Sequence, residues 1–219
     1  MKEEAVAVLD RPQEAHYRIE RVTPREDKVY SFVKRGLDLI LAVLLLILLM
    51  VPMEILAVLV CLDSPGPAIF RQERLGKDGR SFMIYKFRTM VQDAEKDGPQ
   101  WAREEDQRCT RLGRFLRKTR IDELPQLWNV LAGNMSFVGP RPERAYFYKE
   151  FAKYIDGFDQ RLQVIPGITG WAQVNGGYSL APEEKILYDV EYIKKRSITF
   201  DLKCIARTVN VLFSHDGAR

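Results

Sequence analysis

The chain has 219 residues, a net charge of +4 and two histidines, His16 and His215. That length suits one compact domain with an anchor rather than two large domains, and so few histidines exclude a His-based triad or a His-rich metal site. Cys61, Cys109 and Cys204 lie far apart with no C-x-x-C pair, which argues against a zinc site or a disulfide framework and leaves chemistry to carboxylates, lysines, tyrosines and hydroxyls.

Residues 1–30 are charged, mixed in sign and weakly periodic, and read as a polar tail or a loosely docked segment. Lys34 and Arg35 then precede an apolar block of 26 residues, Leu37 to Leu62. As a helix it would run roughly 39 Å, enough to cross a bilayer with tilt. It begins too late and runs too long for a secretory leader, so it is expected to stay in the mature protein. Pro52 interrupts it, where a helix loses a backbone hydrogen bond, and Glu54 follows, where a carboxylate at bilayer depth is costly. Lys34, Arg35 and Asp38 mark where the helix enters the membrane, with Asp38 expected among the headgroups. Basic residues stand on both flanks, Lys34 and Arg35 before and Arg71 and Arg74 after, so the positive-inside rule draws both ends to one side. The expectation is a re-entrant helix hairpin over residues 31–62, broken at Pro52; a kinked single span is the alternative.

From residue 63 to 219 the pattern is that of one domain. Ile69 to Glu73 and Phe82 to Phe87 read as two strands about a Gly76–Gly79 turn, a short β-hairpin. Val91 to Glu105 is polar and reads as a loop with helical pieces. Helical periodicity follows from Thr110, from about Asp122 to Leu131, from Glu143 to Phe158, from Pro182 to about Lys194 and from Phe200 to Phe213. In the third of these Phe147, Phe151, Tyr154 and Phe158 recur every three or four residues; in the last, Leu202, Ile205, Val209 and Leu212 share a face. Both helices fit a membrane interface or an ordinary core. The fold class is α+β, mostly helical, with a membrane helix hairpin, a short β-hairpin and amphipathic interfacial helices.

Three stretches could carry chemistry. Asp122 and Glu123 precede Pro125, which fits only the first turn of a helix, so both carboxylates are placed at a helix N-terminus, where negative charge is favoured. Adjacent carboxylates can divide the work of nucleophile and ligand to a hard cation; the bland alternative is an N-cap and a solvated neighbour. Lys86 and Arg88, the run Arg111, Arg114, Arg117, Lys118 and Arg120, and Arg141 form a basic set able to neutralise a diphosphate or to meet anionic lipid headgroups. Nucleic acid is disfavoured by the small net charge and the lack of any nucleic-acid module. Ile165 to Gly177 holds several glycines, a tight loop of structural character, without a Rossmann or P-loop signature.

Together the segments Lys34–Asp38, Pro52, Tyr85–Met90, Leu116–Thr119, Asp122–Leu127, Val138–Pro142 and Pro166–Gly176 resemble, in order and spacing, the bacterial sugar transferase family of monotopic phosphoglycosyl transferases. The resemblance runs from about residue 31 to 213. It implies a re-entrant helix broken at Pro52, a catalytic pair at Asp122 and Glu123, phosphate contacts from Lys86 and Arg141 with Arg88 in the same set, and Mg2+ held at Glu123. It further implies transfer of a sugar 1-phosphate from a UDP-sugar to undecaprenyl phosphate through an aspartyl intermediate, releasing UMP. The place would be the cytoplasmic face of the bacterial inner membrane, at the start of an exopolysaccharide, capsule, O-antigen or glycoprotein glycan. Membrane lipids, further copies of the chain and downstream glycosyltransferases are the partners it suggests. Many relatives carry Arg after V-N-G, where this chain has Gly177. The rivals are a single-span enzyme with Asp122 as base, and a membrane-tethered scaffold that binds anionic lipids without catalysis.

Overall fold

The computed structural model describes residues 16–25, 27–94, 96 and 106–214. Its longest element is helix α1, Lys28–Asp63, started by Asp27, whose carboxylate accepts from the Tyr30 amide. The helix is long and apolar enough to cross a membrane. One continuous helix covers the stretch where a break at Pro52 was expected. Pro52 lies inside one helix, which a proline allows when only its own missing N–H and local clashes must be absorbed.

Both ends of α1 are fastened to the same body. Near its start, Lys34 pairs with Asp201 at 2.7 Å, Arg35 donates to the carbonyls of Val130 and Leu131 at 2.6 and 2.9 Å, and Asp38 accepts from the Phe137 amide at 3.2 Å. Asp38, expected among headgroups, is instead buried in protein. Ala42 packs with Ile84, Val130 and Met135, whereas Met53, Leu56, Ala57 and Val60 pack with Phe87 and Leu116. Residues 43–52 enter none of these clusters.

After the short strand β1 (Tyr17–Arg18), strands β2 (Ile69–Leu75) and β3 (Ser81–Phe87) pair antiparallel, Phe70 opposite Lys86 and Ile69 opposite Phe87. The turn between them uses Asp78 at φ 57°. Helix α2 (Arg111–Thr119) starts at Thr110, whose hydroxyl accepts from the Gly113 amide at 2.9 Å. A Cβ on Gly113 would lie 2.0 Å from the Thr89 carbonyl oxygen, so only glycine lets α2 press against the end of β3. Arg120 turns the chain in the left-handed region, φ 58°, into a 3-10 helix, Ile121–Gln126, followed by α3, Leu127–Leu131. The α-helix proper therefore starts after Pro125, not at Asp122.

Strand β4 (Ser136–Val138) pairs parallel with β5 (Gly167–Thr169). A Cβ on Gly167 would lie 2.1 Å from the Gly139 amide nitrogen. The glycine-rich loop thus answers to backbone meeting backbone. Helix α4 is only Ala145–Phe151. The expected helix to Phe158 stops because Ile155–Asp156 pairs in parallel with Tyr17–Arg18 and Gly157 turns at φ 94°. The aromatic run faces inward: Phe151, Ile155, Phe158 and Tyr148 join Ile19, Val22, Ile186 and Ile193 in one core, so the interface reading fails for this segment. Residues 16–25 are therefore docked, not a free tail; residues 1–15 lie outside the described part, as does most of the expected loop, 97–105. A short helix α5 (Trp171–Val174) leads to α6 (Pro182–Lys195) and α7 (Ile198–Ser214), which come close to expectation. On α7, Leu202 and Val209 are exposed while Cys204 is buried.

Candidate active site

The 3-10 helix lies against β3 and buries both carboxylates: Asp122 is 7% and Glu123 9% exposed. Glu123 is clamped. Lys86, projecting from β3, donates to its Oε1 at 2.9 Å, and Arg141, just after β4, reaches Oε1 with Nη2 and Oε2 with Nη1 at 3.2 Å. Burial alone would raise the Glu123 pKa; the charges and hydrogen bonds of Arg141 and Lys86 outweigh it and hold the carboxyl well below its usual range. It is these two cations, rather than a helix N-terminus, that keep it ionised. Asp122 faces the other way in electrostatic terms. Burial and the neighbouring Glu123 charge outweigh Lys86, Arg141 and Arg117, and its pKa is pushed up to about 6.

Asp122 opens onto a cavity of about 650 Å³. Lys86, Arg117, Arg120, Arg141, Arg144 and Lys185 share its lining. Such a cavity, where cations far outnumber the carboxylates of Asp93, Asp122 and Glu143, suits a polyanion larger than a single phosphate. Gly177, the residue that follows V-N-G, also lines it.

Arg88 does not offer donors there, although it borders the cavity. Its Nε donates to the Pro67 carbonyl at 2.7 Å, Nη1 to Pro65 O at 2.8 Å and to Ser64 Oγ, and Nη2 to Ser64 O at 2.7 Å, Gly66 O at 3.1 Å and Val60 O at 3.3 Å. A guanidinium has five N–H groups, and these bonds use them. Arg88 caps the end of α1, a correction to its grouping with the phosphate contacts.

Support for Arg141 comes from a buried pair that no local motif marks. Arg161 binds Asp189 at 2.6 Å and donates to the Arg141 carbonyl at 2.8 Å. Burial raises the Asp189 pKa against the opposing Arg161 charge. Lys185 and Arg144 were also missed as cavity residues. Nothing local distinguishes them from solvated helix charges; only the packing of α6 and α4 brings them round.

Mg2+ usually takes one or two carboxylates and completes its shell with water and substrate phosphates. Among the described residues no group of three or more His, Cys, Asp or Glu stands ready to cage an ion. Asp122, at the cavity wall, offers a carboxylate that suits the phosphate-shared mode. Of about four lone-pair directions on a carboxylate, Lys86 and Arg141 occupy three on Glu123.

A buried carboxylate pair, one member clamped by cations and the other open to a cationic cavity, thus stands on a body that carries a helix long and apolar enough to cross a membrane. The sequence model of the bacterial sugar transferase family matches residues 29–215, and the chain belongs to that family. It is 45% identical over 194 residues to the UDP-N-acetylgalactosamine-undecaprenyl-phosphate N-acetylgalactosaminephosphotransferase of Aeromonas hydrophila, covering 87% of this chain and 46% of that protein. It is 43% identical over 187 residues to the UDP-glucose:undecaprenyl-phosphate glucose-1-phosphate transferase of Escherichia coli K12, covering 83% and 40%. With a putative undecaprenyl-phosphate N-acetylgalactosaminyl 1-phosphate transferase of Bacillus subtilis the identity is 51% over 133 residues, 61% of this chain and 74% of that one. The chain spans less than half the length of the first two.

Proposed function

We propose that this chain transfers a sugar 1-phosphate from a UDP-sugar to undecaprenyl phosphate and releases UMP. The observation that carries the reading is the division of the carboxylate pair: Asp122 lines the cavity while Glu123 is locked between Lys86 and Arg141. The names of the relatives support the donor and acceptor classes. They differ in the sugar, so the sugar is left open.

In this reading the diphosphate lies along the cationic wall, with Lys86 and Arg141 placed to meet charge on the reacting phosphoryl group. Ionised Asp122 attacks the phosphorus that bears the sugar. The bond from that phosphorus to the bridging oxygen breaks and its electrons leave with UMP. A phosphate oxygen of the lipid then attacks the same phosphorus and frees Asp122, so the sugar–oxygen bond stays whole. Mg2+, when bound, would offset diphosphate charge beside the pair. Positioning supplies the rest of the rate.

The re-entrant path also belongs to this proposal. Its support is that both ends of α1 dock on one body, leaving residues 43–52 undocked, roughly 15 Å of helix, against a hydrocarbon core of about 30 Å. The active face would then lie at headgroup depth on the cytoplasmic side of the inner membrane, where a lipid phosphate and a soluble nucleotide can meet.

The test is UMP release by detergent-purified protein with Mg2+, undecaprenyl phosphate and a panel of UDP-sugars. Release with at least one donor, abolished by a chelator, is expected. Silence with every donor, together with lipid binding that survives change of both Asp122 and Glu123, would favour the scaffold reading instead.

A further inference from the structure

Of the two cations that clamp Glu123, Lys86 stands on β3 and Arg141 shortly after β4, and each strand is fastened to α1 close to its cation. On β3, Lys86 reaches Glu123 and, two residues later, Arg88 closes on the end of α1 through the carbonyls of Val60, Ser64, Gly66 and their neighbours. On the other side, β4 leads directly to Arg141. The Phe137 amide donates to Asp38 of α1 at 3.2 Å. The Tyr192 hydroxyl lies 3.1 Å from the Val138 carbonyl and 2.8 Å from Asp201, and Asp201 binds Lys34 and Tyr30 of α1 at 2.7 and 3.0 Å. Asp38, Arg88, Tyr192 and Asp201 are all buried.

We propose that Asp38 and Arg88 are positioning residues for the carboxylate pair: the seating of the two ends of α1 on β4 and β3 sets where Arg141 and Lys86 meet Glu123. The membrane helix is on this account a working part of the site as well as an anchor. A buried carboxylate or guanidinium is costly to desolvate, and each of these two bonds chiefly to main chain at a joint between α1 and a strand, Arg88 adding the Ser64 hydroxyl. Loosening either joint lets a strand drift and carries its cation out of register, while Arg117, Arg120 and Lys185 of the cavity wall, which belong to other elements, stay in place to hold the nucleotide. The inference rests on the transfer reading above and adds to it which residues outside the cavity the rate depends on.

The experiment compares wild type, Asp38→Asn, Asp38→Leu, Arg88→Gln and the milder Arg88→Lys. UMP release is measured against UDP-sugar concentration, with melting curves to fix the folded fraction. Asp38→Asn keeps the oxygen that accepts from Phe137 and is expected to stay within about threefold of wild type. Asp38→Leu and Arg88→Gln are expected to lose roughly tenfold to a hundredfold in kcat per folded molecule, with donor KM within about twofold; Arg88→Lys falls between. Loss no greater than the unfolded fraction, or a kcat in Asp38→Asn as low as in Asp38→Leu, overturns the proposal. A wild type silent with every donor refutes the transfer reading alone. Amide exchange across Ser136–Arg141 then decides the coupling: faster in Asp38→Leu and unchanged in Asp38→Asn upholds it, unchanged in both overturns it.

Discussion

Asp122 is held in a state that folding does not favour. Its pKa rises from an ordinary 3.8 to about 6, chiefly through burial and then through Glu123. Below about pH 4 folded and unfolded chains both carry the proton and nothing is lost. Between about pH 4 and 6 the unfolded chain gives it up first, so stability falls as pH rises; above about 6 the full penalty stands, roughly 1–3 kcal/mol. Asp122→Asn should therefore melt higher than wild type at pH 8, the gain vanishing near pH 4, while UMP release is abolished. A variant that melts lower at pH 8 would show that the penalty is absent; near-normal turnover would remove Asp122 as nucleophile. Glu123 has the opposite sign, since its clamp holds the pKa low. Glu123→Gln should lose stability at neutral pH, read from the same melts, because Lys86 and Arg141 would face each other with no negative charge between them. This pair was legible in the sequence because two carboxylates beside a proline and a basic run are rare company. The role of Arg88 was not: five donors can meet phosphate or carbonyls equally well, and only the fold shows which stand within reach.

At the scale of elements, the strands of the hairpin, α2, α6 and α7 follow from periodicity and capping residues, and the structure moves their ends by only a few positions. Two elements read differently. The spacing of Phe147, Phe151, Tyr154 and Phe158 mimics a helix, yet Gly157 and the pairing of Ile155–Asp156 with Tyr17–Arg18 turn the chain away from one. A strand partner about 140 residues away in sequence is invisible to a local pattern. Proline in α1 likewise argued for a break, but tertiary contacts at both ends of the helix outweigh one lost hydrogen bond. The packing of α2 supplies a sharp test. Gly113→Ala puts a Cβ into the Thr89 carbonyl, so it should cost about 1–3 kcal/mol by overpacking, more if the helix cannot shift. A melting temperature equal to wild type would mean α2 is not pressed against β3 as described.

For the whole molecule, the order and spacing of the motifs carried the family, while the joints between α1 and the body came only with coordinates. Under the proposed path, a tag before Met1 and one after Arg219 should both be labelled only from the cytoplasmic side of right-side-out cells made permeable, and neither from outside. Labels on opposite sides would make α1 a true span. The docking of both ends of α1 has one more consequence. A helix that crosses must match the thickness of its bilayer, and tilts, stretches or sorts when it does not. On the proposed path, a helix held at both ends by its own domain, with ten undocked residues between, would touch one leaflet and have no far side to match. Such a protein would be indifferent to how thick the membrane is and sensitive instead to how tightly the near leaflet is packed.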